Sequence, residues 1–111
     1  MQGICPNGWH IPSDAEFNAL NTHEIQHLRS TEYWLYNAGD NATGFNMRPS
    51  GMYNFGSQRY ENLLGNAYFW TADDTNTTEA RCRMADCNCY MVMEMVDVKT
   101  NAYSIRCVRN R

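Results

Sequence analysis

The chain has 111 residues, 43% hydrophobic and 13% aromatic, with nine basic and twelve acidic side chains and a formal net charge of −3. That is enough for one domain with a modest core, spanning 1–111, and it argues against both a second domain and disorder. Eight of the nine bases are arginines, and the densest group is the closing Arg106-x-x-Arg109-x-Arg111. This is no electrostatic footprint for nucleic acid, and no stretch approaches the ~20 apolar residues of a membrane-spanning helix.

Met1-Gln2-Gly3 leads straight into Cys5-Pro6-Asn7-Gly8-Trp9-His10-Ile11-Pro12. Any export signal is therefore expected to lie outside the chain. Two prolines and a glycine are too much punctuation for a helix or a regular strand, and Gly8 supplies a turn expected to aim Trp9 inward. Ser13-x-x-Glu16 is a capping box, and it opens a helix expected over 13–28 with Phe17, Leu20, Ile25 and Leu28 on its buried side. A second, shorter helix is expected over 30–36 around Trp34 and Leu35. Residues 39–44 form a loop, and the recurrent glycines and aromatics of 45–66 predict long, ordered loop structure with little regular hydrogen bonding.

The last forty-odd residues change character. Residues 67–71 predict a strand from their aromatic content, 73–78 a polar turn, and 80–84 with 89–96 a hairpin around 85–88. Within that hairpin Met91, Met93 and Met95 alternate onto one face, which reads as core packing, with copper held by thioethers as the sharper alternative. A closing strand is expected over 103–108. Helices first and an antiparallel sheet after them make an α+β domain.

Five cysteines (Cys5, Cys82, Cys87, Cys89 and Cys107) in so short a chain point to an oxidising compartment, and the odd count leaves at least one thiol free or shared between molecules. Their spacing leaves the connectivity open; Cys82 with Cys87 or Cys89 would staple a hairpin. His23-Glu24-Ile25-Gln26-His27 is formally H-E-x-x-H, which on a helix sets two imidazoles one turn apart with a carboxylate to activate a zinc-bound water. No third ligand or substrate cleft is recognisable beside it, so a polar helix end is the preferred reading.

Cys-Pro-x-Gly-Trp-His-x-Pro-Ser-Asp-Ala-Glu (Cys5 to Glu16) resembles the signature of the Fibrobacter succinogenes major paralogous domain, a bacterial family that is exported or surface-attached. The likeness continues through Asn41-Ala42-Thr43-Gly44-Phe45, Pro49-Ser50-Gly51-Met52-Tyr53, Tyr68-Phe69-Trp70-Thr71 and Ser104-Ile105-Arg106-Cys107-Val108. It implies a C-type-lectin-like fold: one or two N-terminal helices, long ordered loops and a small antiparallel sheet. It also implies a disulfide joining Cys5 to Cys107, and a core holding Trp9, Phe45, Phe69 and Trp70. Family domains carry a further strand-rich segment ahead of the Cys-Pro motif, and on that comparison the chain lacks it.

The resemblance further implies a ligand surface on the turn and hairpin, where Asp73, Asp74, Asn76, Arg81, Arg83 and Tyr90 gather. The acidic-Pro-Asn and Trp-Asn-Asp triplets of calcium-dependent sugar binding do not occur. Formylglycine-generating oxidases share a distant form of this fold and use a Cys-x4-Cys pair with copper, a spacing matched by Cys82 and Cys87; a structural disulfide is the preferred reading of that pair. The resulting expectation is a non-enzymatic, extracellular or surface-exposed domain that needs no cofactor and recognises a protein or glycan ligand. Alternatives are a binding protein diversified by a retroelement, a structural domain of a surface assembly, and, last, a metal-dependent enzyme built on His23, Glu24 and His27 or on Cys82 and Cys87.

Overall fold

A computed structural model describes residues 4–111. Its first third is cut into short pieces. Trp9–His10 forms a strand, β1. Ser13 then caps helix α1, Asp14–Phe17, as a reciprocal box: its hydroxyl accepts from the Glu16 N–H at 3.1 Å while the Glu16 carboxylate accepts from the Ser13 N–H at 3.0 Å. The single helix expected over 13–28 does not form. A 3-10 turn over Asn18–Thr22 follows α1, and a second helix, α2, covers only Ile25–Leu28.

The break falls at His23 and Glu24, both extended (ψ 153° and 141°). Asn18, Asn21 and Thr22 are weak helix formers, and two of them have better partners. Thr22 donates to the Ala19 carbonyl at 2.8 Å. Asn21 brackets Val92, accepting from its N–H at 2.8 Å and donating to its carbonyl at 3.1 Å. The helix expected over 30–36 is also absent. Tyr33 and Asn37 take left-handed φ values of 80° and 55°, and the buried Trp34 donates its indole N–H to Met47 O at 3.1 Å.

Within the long loop of 45–66 lies a hairpin that periodicity did not mark, β2 (Met52–Asn54) with β3 (Arg59–Glu61), faced by the Tyr53–Tyr60 ring pair at 4.9 Å. The main sheet is antiparallel and three-stranded: β4 (Asn66–Asp74), β5 (Glu79–Asp86) and β6 (Met93–Val98), in that order. The last strand, β7 (Val108–Arg109), pairs with β1 and joins the two ends of the chain. Of the closing strand expected over 103–108, only an isolated bridge at Ser104 and this short piece form regular pairs. The result is an α+β arrangement dominated by small antiparallel sheets.

Alternation along β4 divides the interior in two. Ala67 and Phe69 face the core that holds Phe17, Ile25, Leu28, Trp34, Met47 and Val92. Trp70 faces the other way, in register with Cys82 and Met95, over Tyr103 and Ile105. Tyr103 stacks on Trp70 with centroids 4.4 Å apart and tilts against Tyr68 at 5.0 Å.

This partition corrects three expectations. Cys82 and Cys87 are five residues apart, so they belong to opposite cores; both thiols are free, as is Cys89, and the hairpin disulfide does not form. Met91 and Met93 are exposed and only Met95 packs inward, because β6 begins at Met93 and the preceding loop buries Val92 in their place. Trp9 is 40% exposed and lies under the Arg109 guanidinium, 5.2 Å away, while Ile11 fills the core instead. Phe69 and Trp70 are buried as expected, with Phe45 half-buried beside them.

Cys5 and Cys107 are joined by a disulfide, with Cα atoms 5.9 Å apart and a sequence separation of 102. Reducing a loop of that size to an open chain is expected to cost about 4–5 kcal/mol in the chain-entropy account. Cys5→Ser should therefore lower the melting temperature markedly, and an unchanged value would remove the staple from the stability account. Arg83 is fully buried and bonded to α1, so Arg83→Met should destabilise by roughly 3–5 kcal/mol in urea unfolding, because the Asp14 carboxylate loses its counter-charge.

Candidate binding cleft

The six residues expected to form a ligand surface do not share one. Asp73 accepts from the Asp14 N–H at 2.8 Å, Asp74 pairs with Lys99 at 3.1 Å, and Asn76 closes the β4–β5 turn by accepting from the Thr78 and Glu79 N–H groups. Arg81 is exposed on β5. Tyr90 lies beyond the far end of that strand and is 93% exposed. At a strand rise of ~3.4 Å per residue, the length of β5 puts roughly 24 Å between Tyr90 and the turn. Arg83 presents no surface at all: it donates to Asp14, Asn18, Val92 and Glu94 from inside the domain.

The H-E-x-x-H run is not one helical turn. His23 is extended ahead of α2, whereas His27 lies within it, its Nδ1 3.0 Å from Asp40 and its Nε2 3.7 Å from Glu24. No group of three or more His, Cys, Asp or Glu side chains among the described residues is placed to hold a metal ion. No helix among them is long and apolar enough to cross a membrane.

A cleft of about 340 Å³ lies elsewhere, between α1 with its 3-10 turn and the C-terminal segment. Phe17, Leu20, Phe45 and Val108 give it an apolar floor, and Arg106, Arg109 and Arg111 stand around it. The capping box sets α1 so that Phe17 turns inward against Phe69, with centroids 6.0 Å apart. Phe45 meets the same ring edge-on at 6.0 Å. The opposite wall is held by the β1–β7 pair, by the disulfide, and by the Asn110 N–H donated to Gly8 O at 2.8 Å.

His10 locks the two walls together. Its Nδ1 lies 2.5 Å from Asn110 Oδ1, and its Nε2 lies 3.0 Å from both oxygens of Glu16. The Asn110 contact and then the Glu16 contacts raise the imidazole pKa above its ordinary 6.5. The Ser13 N–H, helped by His10, holds the Glu16 carboxylate below its usual range against the opposing effect of desolvation.

The arginines have no such partners. Arg106 lies over the Phe45 ring at 4.4 Å, and Arg109 over Trp9. Among the described residues no carboxylate comes within ion-pair distance of Arg106, Arg109 or Arg111. Partial burial lowers the Arg106 pKa from its ordinary value, yet a guanidinium there stays charged. Glu16, the acidic group of the lining, is already committed to His10 and Ser13. The cleft therefore joins an apolar floor to three cations that no carboxylate among the described residues pairs with. The spacing Arg106-x-x-Arg109-x-Arg111 was its signal in the sequence; what it lacked was the apolar floor, contributed from about ninety residues away in the chain.

A family model described as the Fibrobacter succinogenes major domain matches residues 1–109. The chain belongs to this family. The matched span takes in both cysteines of the terminal staple and most of the cleft. No match was found among curated proteins or solved structures. In this Fibrobacter succinogenes major domain the Cys-Pro turn and the final Cys-Val-Arg strand, far apart in sequence, are the two halves of one clamp.

The clamp has a pH signature. A histidine whose folded pKa lies above its unfolded value stabilises fully below the unfolded value, and that contribution is lost as pH rises through the folded one. The melting temperature is therefore expected to fall as pH rises from about 6 to about 8, the range in which histidines titrate. His10→Asn should flatten that limb. His27, raised first by its bond to Asp40, contributes with the same sign, so the double variant should remove what slope remains. A profile unaffected by both substitutions would remove the clamp from the account.

Proposed function

We propose that this domain is a non-catalytic recognition module of C-type-lectin-like fold, carried outside the cell or on the bacterial surface. Its ligand is a protein segment in which apolar side chains sit next to carboxylates. One observation carries the reading: three arginines without an ion-pair partner among the described residues surround an apolar floor on a chain whose net charge is −3. Positive potential kept within one concave patch of an otherwise acidic molecule steers acidic partners to it and rejects basic ones.

The size of the cleft suits two or three side chains. Arginine over an aromatic ring, as at Arg106 and Phe45, keeps an apolar flank and a charged fork in one place, a combination enriched where binding energy concentrates. The staple and the His10 clamp hold both walls before any ligand arrives, which lowers the ordering cost of binding. A disulfide between the ends of the chain favours an oxidising compartment and so a location outside the cytoplasm.

Selection from a displayed peptide library tests this, with an array of neutral and acidic glycans run in parallel. Enriched peptides should place Asp or Glu beside Leu, Phe or Trp. Arg109→Glu and Arg111→Glu should each weaken them about tenfold, equivalent to ~1.4 kcal/mol. Enrichment of sequences without acidic residues, or binding indifferent to both charge reversals, would sink the reading; capture by glycans alone would replace it with a carbohydrate ligand.

A further inference from the structure

A second cleft, of about 400 Å³, lies where α2 meets the loop between β5 and β6. Arg29 and Cys89 both line it, with Tyr90 at its edge. Arg29 is only 3% exposed, yet no carboxylate reaches it among the described residues. Its guanidinium donates to the carbonyls of Asn37 (3.2 Å), Asp86 (2.7 Å) and Cys89 (3.3 Å) and to Cys89 Sγ (3.8 Å). Its Nε–H is buried and has no hydrogen-bond partner. A buried cation with neither a counter-charge nor full hydrogen bonding is costly, and an anion entering the cleft would relieve it.

The sulfur beside that cation is the accessible one. Cys82 is fully buried and burial pushes its thiol pKa up to about 11, while Cys87 is 5% exposed with its Sγ against Gly65 O at 3.5 Å. Cys89 is half-buried at the cleft; its S–H reaches Asp86 O at 3.3 Å, a bond the thiolate gives up. Disulfide exchange needs a sulfur that an incoming disulfide can reach, and Cys89 Sγ is reachable from the cleft with the Arg29 guanidinium 3.8 Å away.

We propose that Cys89 is a thiol–disulfide exchange site for small disulfides bearing a carboxylate, with that carboxylate lodged against Arg29. The Cys89 thiol gives its proton to solvent, and the thiolate attacks one sulfur of the incoming R–S–S–R. The old S–S bond breaks as the Cys89 Sγ–S bond forms, and the departing R–S⁻ takes a proton from solvent. One disulfide is consumed and one is made, so no external oxidant is needed beyond the incoming disulfide itself. Excess free thiol reverses the step. This site is separate from the arginine-rimmed cleft, and neither reading depends on the other.

The folded protein, with its Cys5–Cys107 bridge intact, is incubated with dithiodipropionate (anionic) and with bis(hydroxyethyl) disulfide (neutral). Adducts are followed by intact mass and located by peptide mapping. Each rate is divided by the rate for the same cysteine in denatured protein, which removes the probe's intrinsic reactivity. One adduct per native chain is expected, at Cys89, with the anionic probe favoured roughly tenfold by the unpaired guanidinium. Cys89→Ser should abolish the native-state adduct at an unchanged melting temperature. Arg29→Gln should erase the preference between probes; if that variant does not fold, the two-probe comparison on the native sequence still decides. No adduct on the native protein, labelling at Cys82 or Cys87 instead, or equal normalised rates for the two probes would each overturn the proposal.

Discussion

The Arg83 guanidinium is where helix, sheet and loop meet. Its Nε donates to the Asp14 carboxylate and one Nη to the Asp14 carbonyl and the Asn18 side chain, both at the opening of the helical segment. The same Nη reaches Glu94 on β6, and the other Nη reaches the Val92 carbonyl in the loop before it. Helices of four residues have no stability of their own in water. They persist here because one planar fork from β5 bonds to the first of them while Phe17 packs beneath the charge, 5.9 Å away. A lysine carries the same charge on a single nitrogen and cannot reach four elements at once.

Around that centre the chain is closed rather than layered. The β1–β7 pair, the Cys5–Cys107 bridge and the His10 contacts to Glu16 and Asn110 bring residues about a hundred positions apart into one wall. The arginine-rimmed cleft is a by-product of that closure. Most of its floor belongs to the helical segment and to Phe45, and its charge and Val108 belong to the tail, so it exists only while the ends are joined. The stability of the domain and the shape of the cleft thus rest on the same contacts.

The buried arginines divide by how fully they are satisfied. Arg83 has carboxylates and carbonyls for its donors, and it is a structural tie. Arg29, nearly as buried, has carbonyls, a sulfur and one N–H with nothing to meet it. Among the buried side-chain nitrogens and oxygens of the described residues, Arg29 Nε is the one without a partner, and it lies beside a half-buried thiol.

What the sequence by itself determined is local or carried by family likeness. The Ser13–Glu16 capping box needs only its own backbone, and the aromatic run of β4 needs only its pleat, so both were legible. The pairing of Cys5 with Cys107 and the family itself were read through motifs at the two ends of the chain. The tertiary structure decided everything that depends on a distant partner. The helix over 13–28 breaks because Asn21 finds Val92, seventy-one residues away. Trp9 turns out because its strand pairs with β7, and the methionine face dissolves because Val92 is pinned ahead of β6. Arg81 and Arg83 have the same chemistry and the same face of β5, yet Asp14, Asn18 and Val92 close over Arg83 and leave Arg81 in solvent, while the three arginines of the tail ring a cleft only against Phe17 and Phe45. Periodicity specifies which side chains share a face; it does not specify what that face will meet.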